Sequence, residues 1–280
     1  MGRLSRSWSL VKASWSVLRQ DKELLLFPLI SSLAMLAVVA CFALPILGSG
    51  ALDGLARGGG STPLHYGIAF LFYVVQYFVI FYFNAALVGA AMIRLDGGDP
   101  TLGDGLRIAS SKLGAIFGYA LIAATLGLVL RMLQERVGFL GRIVVGLLGT
   151  GWTVATYLVV PVLVTRDVGP VAAVRESAVL LKRTWGENVI GQAGLGVAFG
   201  LTQFAVIATG VAIIIAAALT ESLPLIIAAA VLLLSAVLFT FLIHGALSGI
   251  YAAALYRFAA DRESTPGFNT DALQLAFKAK

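Results

Sequence analysis

Six apolar runs dominate this 280-residue chain: Leu24–Leu47, Leu64–Ile93, Leu113–Leu133, Ile143–Val164, Val189–Leu219 and Leu225–Phe258. Each meets or exceeds the roughly 20 residues that a helix needs to cross a bilayer. A chain that buries its backbone groups in lipid must satisfy them within each segment, which leaves helices as the fitting structure for runs of this length. Composition agrees. Apolar residues make up 59% of the chain and charged ones 12%, against about a quarter charged in soluble domains. A globular surface of this kind would aggregate, so the solvent is lipid. The second, fifth and last runs are too long for a perpendicular helix and are expected to tilt, kink or project.

Short basic amphipathic segments punctuate the runs. In the first, Leu4, Trp8, Val11, Trp15 and Leu18 recur at helical spacing, flanked by Lys12 and Arg19. Such a helix lies in the headgroup plane, its tryptophans at the boundary and its cations on lipid phosphates. Val11, Lys12 and Leu18 align at the same separations with Leu106, Arg107 and Leu113, and with Val174, Arg175 and Leu181. The upstream apolar partners are Trp8, Leu102 and Val171, and Trp185 continues the third stripe. Asp99-Pro100 and Gly169-Pro170 predict helix starts with proline at the first helical position. The chain therefore reads as three units, about 1–95, 96–166 and 167–260, each a surface helix followed by two spans. Residues 1–260 form one membrane domain and 261–280 a polar tail ending in a short apolar patch, Leu273–Phe277. Gly48–Pro63 reads as a loop.

Sixteen of the twenty Lys and Arg residues fall on one side of this arrangement. The net charge of +6 thus reports orientation and anionic lipid rather than nucleic acid. Both termini are expected in the cytoplasm, in the cell (inner) membrane. Residues 1–47 read as a retained anchor, because Asp21 and Glu23 interrupt the charged region and the apolar run is long enough to span. The single Cys41 has no partner for an intrachain disulfide.

The opening Ser7-Trp8-Ser9-Leu10-Val11-Lys12, the following Asp21-Lys22-Glu23-Leu24-Leu25-Leu26-Phe27-Pro28, and the later Arg175–Gly191 resemble a family of uncharacterised prokaryotic six-helix membrane proteins known by a domain-of-unknown-function label. The plan of a surface helix before two spans is more distantly similar to the membrane domain of some glycerophosphodiester phosphodiesterases. The resemblance implies a fold and a membrane location. It supplies no catalytic residues.

All fourteen carboxylates lie outside the apolar cores or at their ends, which argues against an ion-coupled carrier or a paired-aspartate protease. His244 is the one titratable side chain well inside a run, with Thr240, Ser248 and Tyr251 on its face. Uncharged polar stripes run along the second span (Tyr66, Tyr73, Gln76, Tyr77, Asn84), the fourth (Gly146, Gly149, Thr150, Thr153, Thr156, Tyr157) and the fifth (Gln192, Gly196, Gln203). They face other helices or a wet cavity, and interhelical hydrogen bonding competes with a passage as their purpose. Gly114-x-x-x-Gly118, Gly196-x-x-x-Gly200 and Gly245-x-x-x-Gly249 permit close helix approach, within a chain or between copies in a homo-oligomer. Asp96-Gly97-Gly98-Asp99 reads as a turn and cap rather than a calcium loop. No cofactor, metal centre or nucleophile–base pair is suggested.

Two functions follow from these patterns. One is a conduit for ions or small solutes lined by Gln76, Asn84, Gln203 and His244. The other is a non-catalytic lipid-interacting or scaffold protein of the inner leaflet. Its headgroup contacts are Trp8, Lys12, Trp15, Arg19, Arg107, Lys112, Arg175, Lys182, Arg183 and Trp185.

Overall fold

A computed structural model describes residues 14–48, 63–183 and 188–261. These are helical almost throughout: α1 (residues 14–20), a 3-10 turn at Lys22–Leu25, α2 (Leu26–Gly48), α3 (Pro63–Leu95), α4 (Leu102–Ser111), α5 (Leu113–Arg136), α6 (Phe139–Ala155), α7 (Val159–Thr165), α8 (Pro170–Arg183), α9 (Asn188–Ala218) and α10 (Leu223–Asp261). Among the described residues six stretches are long and apolar enough to cross a membrane: Lys22–Pro45, Tyr66–Leu95, Leu113–Arg136, Phe139–Thr165, Gly196–Ala218 and Leu223–Arg257. The chain is a multi-pass membrane protein by helix length and hydropathy. Most of the predicted loop Gly48–Pro63 and the tail patch Leu273–Phe277 lie outside the described residues.

The fourth span departs from the expected single helix. It stops at Ala155 and restarts at Val159, so α6 and α7 are two pieces of one crossing. Pro161 sits in the first turn of α7 and offers no amide to the carbonyl of Tyr157. The second, fifth and last spans are unbroken helices of 33, 31 and 39 residues. At about 1.5 Å per residue each exceeds the roughly 30 Å hydrocarbon core.

α3 is the hub, packing on α2, α4, α5, α7 and α10. The core gathers at one end of the bundle: Leu24 and Phe27, the Ala85–Ala91 stretch, Ala109, Ile116, all of Leu158–Leu163 and most of Ala246–Tyr256 are buried. Small residues let the helices close there. A Cβ on Gly105 would lie 2.5 Å from the Phe27 ring and 2.6 Å from the Ala86 carbonyl; one on Gly249 would lie 2.4 Å from Leu87. Gly118 is pressed by Pro170, whereas a Cβ on Gly114, Gly196 or Gly200 would meet nothing within 4 Å. Gly118 and Gly249 thus mark close approaches within the chain, while a Cβ on Gly245 would make only ordinary 3.5 Å contact with Pro28.

Ion pairs stitch the same end. Arg94 reaches Asp99 at 3.2 Å, Lys112 reaches Asp167 at 3.2 Å, Arg166 reaches Glu176 at 2.7 Å, and Arg257 pairs with Asp96. Asp96 and Gly97 form a turn, with Gly97 at φ +85° where a side chain would be strained. α4 starts later than expected. Thr101, not Asp99, caps it, and the Thr101 and Asp104 side chains each bond the other's backbone amide. Pro100 therefore precedes the cap. Pro170 does open α8 as expected.

The other end is open. Little of the fifth span is buried, and α9 packs chiefly on α10 as a hairpin.

Candidate functional site

The apolar stripes of the short helices are divided between the bundle and its surroundings. On α1 the inward residues are Ser14, Val17 and Leu18, while Trp15 is 41% exposed and Arg19 is exposed beside it. On α8 the inward residues are Ala173, Ser177, Leu180 and Leu181. Val171, 70% exposed, turns outward with Arg175, Val179 (42%) and Lys182. These spacings of three and four place two apolar and two basic side chains on one outer stripe. Apolar and cationic groups side by side are what the boundary between headgroups and acyl chains accepts. Arg107 on α4 is exposed although it pairs with Asp104 at 2.7 Å. Lys112 is mostly covered and clamps Asp167 and the Arg166 carbonyl. Trp8, Lys12 and Trp185 lie outside the described residues, as does the Arg183 side chain.

Inside the bundle, α8 meets the interrupted fourth span. Ser177 is fully buried; its hydroxyl donates to the Ala155 carbonyl at 2.7 Å and accepts the Leu158 amide at 3.1 Å. One side chain thereby bridges both lips of the break, where lipid would leave those groups unsatisfied. Thr156 turns its hydroxyl back to the Trp152 carbonyl at 2.8 Å. Tyr157, between them, donates to the Ser248 carbonyl of α10 at 3.4 Å.

Ser248 belongs to a polar face of α10 that runs Thr240, His244, Ser248, Tyr251. Thr240 donates to Gln203 of α9 at 2.7 Å. One turn on, the His244 ring meets Phe199 edge-on, with 4.6 Å between ring centroids, and its Nδ1 is buried without a hydrogen-bond partner. Asn84 of α3 comes up to Gly249, where its Oδ1 would lie 3.6 Å from an added Cβ. Gln203, His244 and Asn84 are therefore arrayed along α10. Gln76 stands two turns away on α3, half-buried, and no hydrogen bond among the described residues joins it to them. Sequence spacing did not single out Ser177 or the break. The signal available was Pro161 within a run otherwise read as continuous.

Two carboxylates at the packed end differ in character. Asp21 caps the 3-10 turn by accepting the Glu23 amide at 3.1 Å, and its other oxygen is buried and unbonded. Burial pushes this carboxyl above its ordinary range, against the pull of the Glu23 amide and Arg94. Asp104 is held below its ordinary range by the Thr101 hydroxyl and amide, with help from Arg107.

The model of a protein family described as a family of unknown function (DUF6159) matches residues 64–267. The chain belongs to the DUF6159 family. The DUF6159 match runs from the second span into the tail, so it takes in the broken fourth span, α8 and the α9–α10 hairpin. No curated protein matches the chain.

Proposed function

We propose that this DUF6159 protein is a non-catalytic, lipid-interacting membrane protein whose packed end lies at the cytoplasmic face of the inner membrane and holds anionic headgroups. The outer stripe of α8, Val171-Arg175-Val179-Lys182, carries the reading, with Trp15 and Arg19 on α1 as its counterpart. Each basic group near an anionic leaflet adds about 1 kcal/mol. Reversing Arg19, Arg175 and Lys182 to Glu should then weaken retention of anionic lipid at least about 100-fold, since each 1.4 kcal/mol is tenfold. The readout is co-purifying phospholipid under stringent delipidation. Unchanged lipid would count against the proposal.

The threefold plan belongs to the same proposal. Under the alignment above, Ser14, Ala109 and Ser177 occupy one register position, and all three are fully buried. The likeness to the phosphodiesterase membrane domain rests on this plan and fits a lipid-facing role.

A second reading, a passive conduit, is favoured by the broken fourth span against the polar face of α10, since interrupted membrane helices line ion and solute sites in other folds. Purified protein should then raise flux in liposomes, and Gln76→Leu with Gln203→Leu should lower it. No flux above empty liposomes, across ions and voltages, removes this reading.

A further inference from the structure

Between α9 and α10 of the hairpin lies an open-sided groove of ≈ 340 Å³ lined by Ala205, Val206 and Gly210 on one side and Ala229, Leu233 and Ala236 on the other. That volume is at the lower end of the about 300–1,000 Å³ typical of small-ligand sites. The wall is almost wholly apolar. Its rim, at Leu232 and Ile213, is exposed, so the groove opens sideways to whatever surrounds the hairpin. Gly210 is the close point of the two helices: a Cβ there would lie 2.3 Å from Leu233. On the side towards the packed end, one turn beyond Val206 and Ala236, sits the Gln203–Thr240 pair, and His244 follows one further turn along.

We propose that this groove binds a single-chain lipid with one small uncharged hydrogen-bonding head, such as a long-chain alcohol, its chain in the apolar wall and its head at Gln203, Thr240 and His244. The opening faces lipid at a depth where water supplies no competitor. From Ile213 to Gln203 is ten residues, or about 15 Å of helix, half the hydrocarbon thickness, so the occupant is a chain rather than a compact solute. Thr240 engages the Gln203 carbonyl oxygen, which leaves the amide N–H₂ group as a donor. The His244 Nδ1, buried and unbonded, adds a polar atom without a partner. No Asp, Glu, Lys or Arg lies in α9 after Gly196, or in α10 between Leu223 and Tyr256. A charged head would therefore be uncompensated, and a neutral one is selected. Apolar packing alone gives no preference over bulk lipid, so the head contacts carry the selectivity.

The test is equilibrium binding of radiolabelled hexadecanol to the purified full chain in nanodiscs. We expect saturable binding near one per chain, displaced by unlabelled hexadecanol and not by hexanol or hexadecanoate at neutral pH. Ala236→Phe, which fills the groove, should abolish saturable binding, and Gln203→Leu should weaken it about tenfold. Circular dichroism and retention of anionic phospholipid serve as folding controls and keep this site separate from the headgroup stripe. Non-saturable partition equal to that of empty nanodiscs, equal displacement by hexadecanoate, or saturable binding that persists in a folded Ala236→Phe protein would each overturn the proposal. Failure of the unmutated protein to retain anionic phospholipid, with hexadecanol binding intact, would sink the stripe reading and leave this one standing.

Discussion

Ser177 and Ser14 look alike and should behave oppositely. Ser177 bonds both lips of the interrupted fourth span. Ser177→Ala leaves a buried amide and carbonyl without it, at a cost of about 1–3 kcal/mol, seen as a lower apparent Tm in detergent. Ser14 is equally buried, but its hydroxyl has no partner among the described residues. Ser14→Ala removes an unsatisfied group and should leave the Tm level or raise it; a fall as large as that of Ser177→Ala would show that Ser14 makes a bond of its own. Asp21 gives a pH signature. Its folded-state pKa is raised, so the folded protein holds a proton that the unfolded chain releases near the ordinary carboxylate value. Stability from this group is greatest in acid and falls as pH rises from about 4 through the raised value. Asp21→Asn, which still caps, should flatten that part of a Tm–pH curve. An unchanged slope would assign it to other carboxylates.

Among the elements, the helix crossings separate glycines that the fold needs from glycines it merely contains. Gly105→Ala drives a methyl into the Ala86 carbonyl and should cost more than about 1–3 kcal/mol, the usual price of overpacking, because backbone cannot step aside. Gly245→Ala makes an ordinary 3.5 Å contact with Pro28 and should be tolerated. Thermal stability of the two variants, expressed side by side, checks the contrast. The same elements show what hydropathy reveals and hides. All six crossings were legible, because length and apolarity decide them. The break in the fourth was not: both lips are apolar, and the group that satisfies them, Ser177, belongs to another helix. The division of the α1 and α8 stripes between two sides was hidden for a related reason. Periodicity alone joins Trp15 to Leu18 and Val171 to Leu181 in one stripe, yet Trp15 and Val171 face outward while Leu18 and Leu181 are buried in the bundle. Gln203 and His244 were legible as polar groups in apolar runs, but their placement one turn apart on a shared hairpin needed the pairing of α9 with α10.

For the whole molecule, the pattern of contacts gathers the ends of five spans together. With Cys41 replaced by Ser, single cysteines at Ser111, just before α5, and at Glu135, near its far end, both exposed, should be labelled by an impermeant reagent from opposite faces of a sealed vesicle. Labelling of both from one face would remove α5 from the crossings. Burial is also uneven along the bilayer normal: Leu158–Leu163 and Ala246–Leu255 are enclosed by protein, while α9 borders little but its hairpin mate. The enclosed segments are thus held by side chains of the chain itself, whereas α9 leaves most of its surface to the solvent around the hairpin. Amide deuteration in micelles should divide along that line, with slow exchange in the enclosed segments and fast exchange in α9. Moving the protein from a long-tailed to a short-tailed surfactant should widen the gap.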